Sequence, residues 1–252
     1  MIRRPRPVGQ QSPAEPETHL QRTVDQTCEN HAGTVRSAEL THRVIRAAQE
    51  LDPAGLRAGF DRATTRLGLA LSIDRVVIPG ARQLGRIMVA GRRDHVRELL
   101  ATEVIRAWLN DQASLAPAPW RAETVLLTCG PRDRDTVFVE ALALLVRLHG
   151  WPCRVLGART PILTVTAAAQ AGDTAAVVVC GTRPGRRQAM SCLAAAADLG
   201  VPTFFSGSAF DTPQSRNGAQ GRYLGPSVQG ACDLLLDTLA PNEDVRRQPP
   251  AI

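Results

Sequence analysis

A chain of 252 residues with 44% apolar and 21% charged residues has room for two modest domains with their own cores and excludes global disorder. All 30 basic residues are arginine, which rules out lysine Schiff-base chemistry and a P-loop lysine. The formal net charge of +6 is dispersed along the chain, and neither a helix-turn-helix nor an aromatic-rich strand announces nucleic-acid binding, so direct contact with DNA or RNA is not expected.

Residues 1–36 are rich in Pro, Gln, Glu and Arg without a sustained apolar period and read as a flexible arm. From Ser37 the spacing turns helical, with Leu40, Val44, Ile45, Ala48 and Leu51 on one stripe. Asp52-Pro53 supplies an N-cap and a first-turn proline for a second helix to Leu67, which carries Leu56, Phe60 and Ala63 on one face. A third helix is predicted from Ser72 to Ala90, bent at Pro79-Gly80 and capped by Gly91. The fourth starts near Arg93, its stripe running through Val96, Leu99, Leu100, Val104, Trp108 and Leu109. Together 37–113 read as an antiparallel four-helix bundle, and the proline-bearing stretch 114–122 as a linker.

Beyond it the period changes. Short apolar runs at Val125–Leu127, Cys153–Leu156, Ala176–Val179 and Pro202–Phe205, with a fifth strand at Arg222–Leu224, alternate with helices at Thr136–Leu148, Pro161–Ala171, Gly185–Leu199 and Val228–Leu239. This is the pattern of a parallel sheet covered on both faces, so the fold class is α/β: a bundle followed, over 123–240, by a flavodoxin-like doubly wound five-stranded sheet. The segment after Phe210 is too polar and glycine-rich to assign, and 241–252 read as a flexible tail. A ligand is expected beyond the carboxyl ends of the strands, near Cys129-Gly130, Gly157, Cys180-Gly181 and Ser206-Gly207.

The six cysteines form no CxxC pair and, with the five histidines, no zinc spacing; they read as reduced core thiols, and no structural metal is expected. No apolar leader or bilayer-length run is visible, which points to a cytoplasmic protein without membrane contact. Asp133 and Asp135, interleaved with Arg132 and Arg134, read as a charged helix head rather than a catalytic dyad. The arginines of Gly181–Arg187 lie beside a helix start and suggest either a phosphate contact or a solvent-facing loop. Gly218, Gly221 and Gly225 lack the strand-turn-helix setting of a dinucleotide fingerprint.

Three markers in order, Leu84-Gly85-Arg86-Ile87-Met88 with Gly91, the run Ala101–Leu109, and Gly150–Gly157 leading into Thr160-Pro161, resemble the B12-binding-domain family. Within it the chain is most similar to light-responsive MerR-type cobalamin repressors, without their DNA-binding module. The resemblance implies a cobalamin, or a related linear tetrapyrrole, held between helical cap and α/β domain. It further implies a regulatory or sensory protein, not an enzyme, that signals to a protein partner such as a transcription regulator. Alternatives are a ligand-free interaction module with a degenerate pocket and, more weakly, a corrinoid carrier for methyl transfer.

The family's Asp/Glu-x-His-x-x-Gly signature aligns with Asp133-Arg134-Asp135-Thr136-Val137-Phe138. Asp133 matches, Asp135 replaces the cobalt-binding histidine and Phe138 replaces the glycine, so the resemblance implies cobalamin that is base-on or carries a nonstandard ligand. Over the upper corrin face, Met88 stands at the family's tryptophan and Glu98-Leu99 at its Glu-His pair, with His95 one turn earlier as a substitute imidazole. Cys180, with Thr182 two residues on, replaces the serine after strand three, and Ser206-Gly207 replaces a Gly-Gly pair.

Overall fold

The computed structural model describes residues 37–87, 92–182 and 185–240. The expected arm, the expected tail and Met88 lie outside these residues.

Helix α1, at 37–49, buries Leu40, Val44, Ala47 and Ala48. Leu51 turns the chain at φ 56°, and Asp52 then caps α2 (Pro53–Leu67), its Oδ1 accepting from the Gly55 N–H at 2.9 Å. The third helix begins earlier than its sequence suggests. It runs without a break as α3 (Leu69–Ser72), a π turn (Ile73–Val77) and α4 (Ile78–Ile87). Pro79 has no N–H for the Arg75 carbonyl four residues back. The widened turn lies directly before the proline, and the Thr41 hydroxyl of α1 donates to that carbonyl at 3.1 Å.

Helix α5 (Arg92–Ser114) buries Ala101, Ile105, Trp108 and Leu109. Val96 and Leu99, expected on its buried stripe, are 54% and 52% exposed; the residues that α5 buries in the core begin at Ala101. Phe60 and Trp108 pack with ring centroids 5.4 Å apart, and the indole N–H of Trp108 donates to Asp61 Oδ1 at 2.8 Å. The segment after α5 is tied down: the Trp120 and Arg121 N–H groups donate to the Gly150 carbonyl at 3.0 and 3.2 Å. The Arg121 guanidinium lies over the rings of Trp120 and Trp151, 4.3 and 4.9 Å from their centroids.

Strands β1 (Thr124–Cys129), β2 (Cys153–Leu156), β3 (Thr174–Cys180), β4 (Thr203–Ser206) and β5 (Arg222–Tyr223) form one parallel sheet in the order β2-β1-β3-β4-β5. Alternate residues face opposite ways. Val125, Leu127 and Val178 pack with α6 (Val137–Leu148), α10 (Val228–Leu239) and the cap in one continuous apolar cluster. Leu126, Val177 and Val179 pack with α7 (Ile162–Gln170) and α8 (Arg186–Ala197) on the other face. The unassigned segment after Phe210 forms α9 (Pro213–Arg216), a single turn closed by a Thr212–Ser215 capping box. No helix among the described residues is long and apolar enough to cross a membrane.

Helix packing and side-chain hydrogen bonds hold the cap against the α/β layer. Helix α5 packs along α6; the Arg106 Nε–H donates to Glu140 Oε1 at 2.9 Å, and Glu140 also receives the Thr136 hydroxyl at 2.7 Å. Asp74, in the π turn, accepts from the first N–H groups of α10.

Candidate functional site in the cleft above the sheet

The carboxyl ends of β1, β3 and β4 form a crest facing α4 and α5, and the topological switch point lies between β1 and β3. Asp133 sits on this crest, 1% exposed. Its Oδ1 accepts from the Thr182 N–H at 3.2 Å and from the Thr182 hydroxyl, so the carboxylate ties the β1–α6 loop to the β3–α8 loop. Its Oδ2 is buried and has no hydrogen-bond partner among the described residues.

Asp135, two residues on, is held by the start of α6: its Oδ1 accepts from the Val137 N–H at 3.0 Å. Water reaches Asp135 on the cleft floor, yet protein rises on both sides, and this desolvation pushes its carboxyl above the usual carboxylate range. The Val137 hydrogen bond and the Arg82 charge oppose that shift without cancelling it.

Cys180 is buried beneath the crest, its thiol pushed well up by burial. The Cys129 thiol lies 3.4 Å from the Asp135 carbonyl and is also raised by burial. Both are neutral thiols at pH 7. Ser206 is fully buried and donates to the Gly225 carbonyl at 2.5 Å, and Gly207 turns at φ 94°.

Two cavities separate crest from cap. The smaller, about 60 Å³, is bounded by Ile78 and Arg82 above and by Asp135, Phe138, Cys180, Thr182 and Gly207 below. The larger, about 580 Å³, lies between Arg82 of α4, His95, Glu98 and Leu99 of α5, and Arg134 and Asp135 below. His95 Nδ1 is 3.4 Å from Glu98 Oε2, and both side chains are partly exposed to the cavity. The structure therefore brings His95, Glu98, Leu99 and Asp135 to one cavity and Asp135, Phe138, Cys180, Thr182 and Gly207 to the other. Asp133 and Ser206 line neither and brace the crest from within. Met88 lies outside the described residues.

Sequence reasoning missed Ile78, Ala81 and Arg82. Their helical spacing on α4 was visible, but the phase that aims them at the cleft depends on the π turn. The arginines of the β3–α8 region divide: Arg186 is committed to the Ser215 and Asn217 carbonyls, at 2.8 and 3.3 Å, rather than free for a phosphate, and Arg183 lies outside the described residues.

A helical cap set over the carboxyl ends of a parallel sheet in this order is the fold of B12-binding-domain proteins. No family model matches the chain, and no curated protein matches its sequence. Among solved structures, the monomethylamine corrinoid protein of Methanosarcina barkeri is similar with a TM-score of 0.61 at 12% identity, over 80% of this chain and 99% of that one. The methanol:cobalamin methyltransferase complex MtaBC from Methanosarcina barkeri is 17% identical over 80% of each chain, with a TM-score of 0.41. A cobalamin-binding protein from Desulfitobacterium hafniense is 11% identical over 79% of this chain and 98% of that one, also at 0.41. Of these three, the first shows the fold.

The crest does not fit a base-off corrinoid ligated from below. The resemblance sets Asp135 where the family has its imidazole; its carboxyl is engaged with Val137, and the switch-point crevice is spanned by the Asp133–Thr182 contact. The larger cavity, with His95 and Glu98 on its cap side, has room for a planar ligand lying above the crest.

Proposed function

We propose that this chain is a regulatory or sensory protein whose cleft binds a corrinoid or a related tetrapyrrole, with the occupied state passed to a protein partner, a transcription regulator. The observation that carries this reading is the 580 Å³ cavity between α4, α5 and the crest, at the place where a parallel sheet of this order receives ligands. A cap shared with a corrinoid protein's fold supports the ligand class. When bound, such a group supplies a chromophore and, for a corrinoid, a metal with exchangeable axial positions.

The protein's own part is to bind and to report. Helix α4 forms one wall and continues through the π turn to Asp74, whose carboxylate holds the start of α10. A ligand that shifts α4 therefore pulls on α10. That route gives a differential contact between free and bound states, without which a ligand shifts no equilibrium.

Equilibrium dialysis against hydroxocobalamin, adenosylcobalamin and biliverdin, with visible spectra and melting curves, tests the reading. Retention of one chromophore at roughly tens of micromolar protein is expected, with a melting temperature raised by about 5 °C at saturating ligand. A colourless protein with an unmoved melting curve overturns it and favours a ligand-free interaction module, which the packing of Phe138 beside a cavity of only about 60 Å³ supports. A corrinoid carrier for methyl transfer is supported by the shared fold and opposed by Asp135 at the histidine position.

A further inference from the structure

The loops at the carboxyl ends of β1, β3 and β4, where a nucleotide group would enter a sheet of this order, approach one another closely. A Cβ on Gly207 would stand 2.4 Å from the Gly181 carbonyl oxygen, and one on Gly181 would stand 2.9 Å from the Ala209 Cβ. Cβ positions on Gly130 and Gly185 would come within 2.9 and 2.3 Å of the Asp133 carboxylate. At these four glycines a methyl group would not fit.

Polar groups that could greet a nucleotide are already engaged. Ser206 donates to Gly225, the Thr182 N–H and hydroxyl donate to Asp133, and Arg186 donates to the Ser215 and Asn217 carbonyls. Asp133, 1% exposed, places a carboxylate where a phosphodiester would have to pass, and like charges in a desolvated crevice repel strongly. The cavity above these loops is about 60 Å³, a small fraction of the roughly 300–1,000 Å³ typical of small-molecule pockets.

We infer that the switch-point crevice is closed to a nucleotide tail, so that the cleft selects corrinoids by the ring alone: tail-less corrinoids, or complete ones whose tail stays folded beneath the ring outside the sheet. This rests on the corrinoid reading of the cleft. The selecting groups are Asp133, Thr182, Gly181 and Gly207; Arg82, His95 and Glu98 contact the ring side.

The test uses the full chain without substitution. Binding of diaquocobinamide, which lacks the nucleotide, is compared with that of aquocobalamin by dialysis. The cob(II)alamin complex is examined by electron paramagnetic resonance with unlabelled and ¹⁵N-labelled protein. Cobinamide is expected to bind as tightly as cobalamin, within about threefold, or more tightly, and bound cob(II)alamin to keep the nitrogen splitting of its own benzimidazole, unchanged by labelling the protein. Cobalamin bound more than tenfold tighter than cobinamide, or a spectrum with the benzimidazole off the metal, overturns the inference while leaving a corrinoid site in place. Retention of neither compound overturns both.

Discussion

Asp74 and Val228, 154 residues apart in sequence, meet at 2.6 Å: the Val228 N–H donates to Asp74 Oδ1, and the next amide, Gln229, donates to Oδ2 at 3.0 Å. Ser227 meanwhile accepts from the Gly230 N–H at 3.0 Å. The start of α10 is thus capped once from its own strand-to-helix turn and once from the cap domain. A carboxylate at a helix N-terminus is stabilised both by hydrogen bonds and by the helix dipole.

Asp74→Ala is expected to lower stability by about 1–2 kcal/mol, and Asp74→Asn by less, since an amide oxygen still accepts one bond. Urea unfolding measures both. If the π turn reports occupancy to α10, Asp74→Ala also uncouples ligand binding from protection of the α10 amides, a change that hydrogen exchange reads separately from stability.

Trp108 is fully buried and its indole N–H is satisfied only by Asp61 among the hydrogen bonds described. Trp108→Phe is expected to cost about 2 kcal/mol through lost volume, the exposed Asp61 carboxylate turning to water, and Asp61→Ala about 1 kcal/mol through the buried indole N–H left without its acceptor. The double variant should cost less than the sum of the two, as a double-mutant cycle in urea will show.

Burial pushes the thiols of Cys153 and Cys232 up to about 12 and that of Cys192 to about 11, from the ordinary 9.0. Native protein should therefore resist iodoacetamide at pH 8 at these positions and react fully after unfolding. The linkage follows in sign. The folded state keeps these protons above pH 9 while the unfolded chain releases them, so their contribution to stability is complete below about pH 9 and declines as pH rises toward 11–12. Flat stability across that alkaline range would contradict the burial of these thiols.

Asp135→His places an imidazole at the position that the sequence resemblance assigns to the family's cobalt ligand. It also removes the acceptor for the Val137 N–H, at a cost of about 1 kcal/mol. With the Asp133–Thr182 contact intact, the variant's cob(II)alamin complex should keep its benzimidazole on the metal. A protein-nitrogen signal in the ¹⁵N-labelled variant would show that the crevice opens once an imidazole is offered.

The layered fold was legible because its signals are local. Apolar period 3.6 gave way to short β-branched runs after Ala122, and α6 and α10 begin and end within a residue of the expected limits. The site was legible in part. Glu98, His95 and Asp135 reach one cavity, as helical spacing and loop position implied, whereas Leu99 and Val96 belong to no core, since periodicity cannot tell where along a helix burial begins. Asp133 has an obligatory neighbour in Thr182, 49 residues away, and Asp74 in Val228; no local pattern marks such pairs. The π turn was hidden for a different reason, since Pro79 tells that the Arg75 carbonyl loses its partner but not that the turn before it widens or that Thr41 will donate to that carbonyl.

That turn sets the phase of one continuous helix. One extra residue per turn rotates everything after it by about 100° relative to a regular helix. Ahead of it the helix buries Ser72 in the cap; within it Ile73 is buried and Asp74 reaches sideways to α10; beyond it Ile78 and Arg82 look down into the cleft. Deleting a single residue there would restore regular winding and turn Arg82 away from Asp135, so that core, latch and ligand wall could no longer share the same rod.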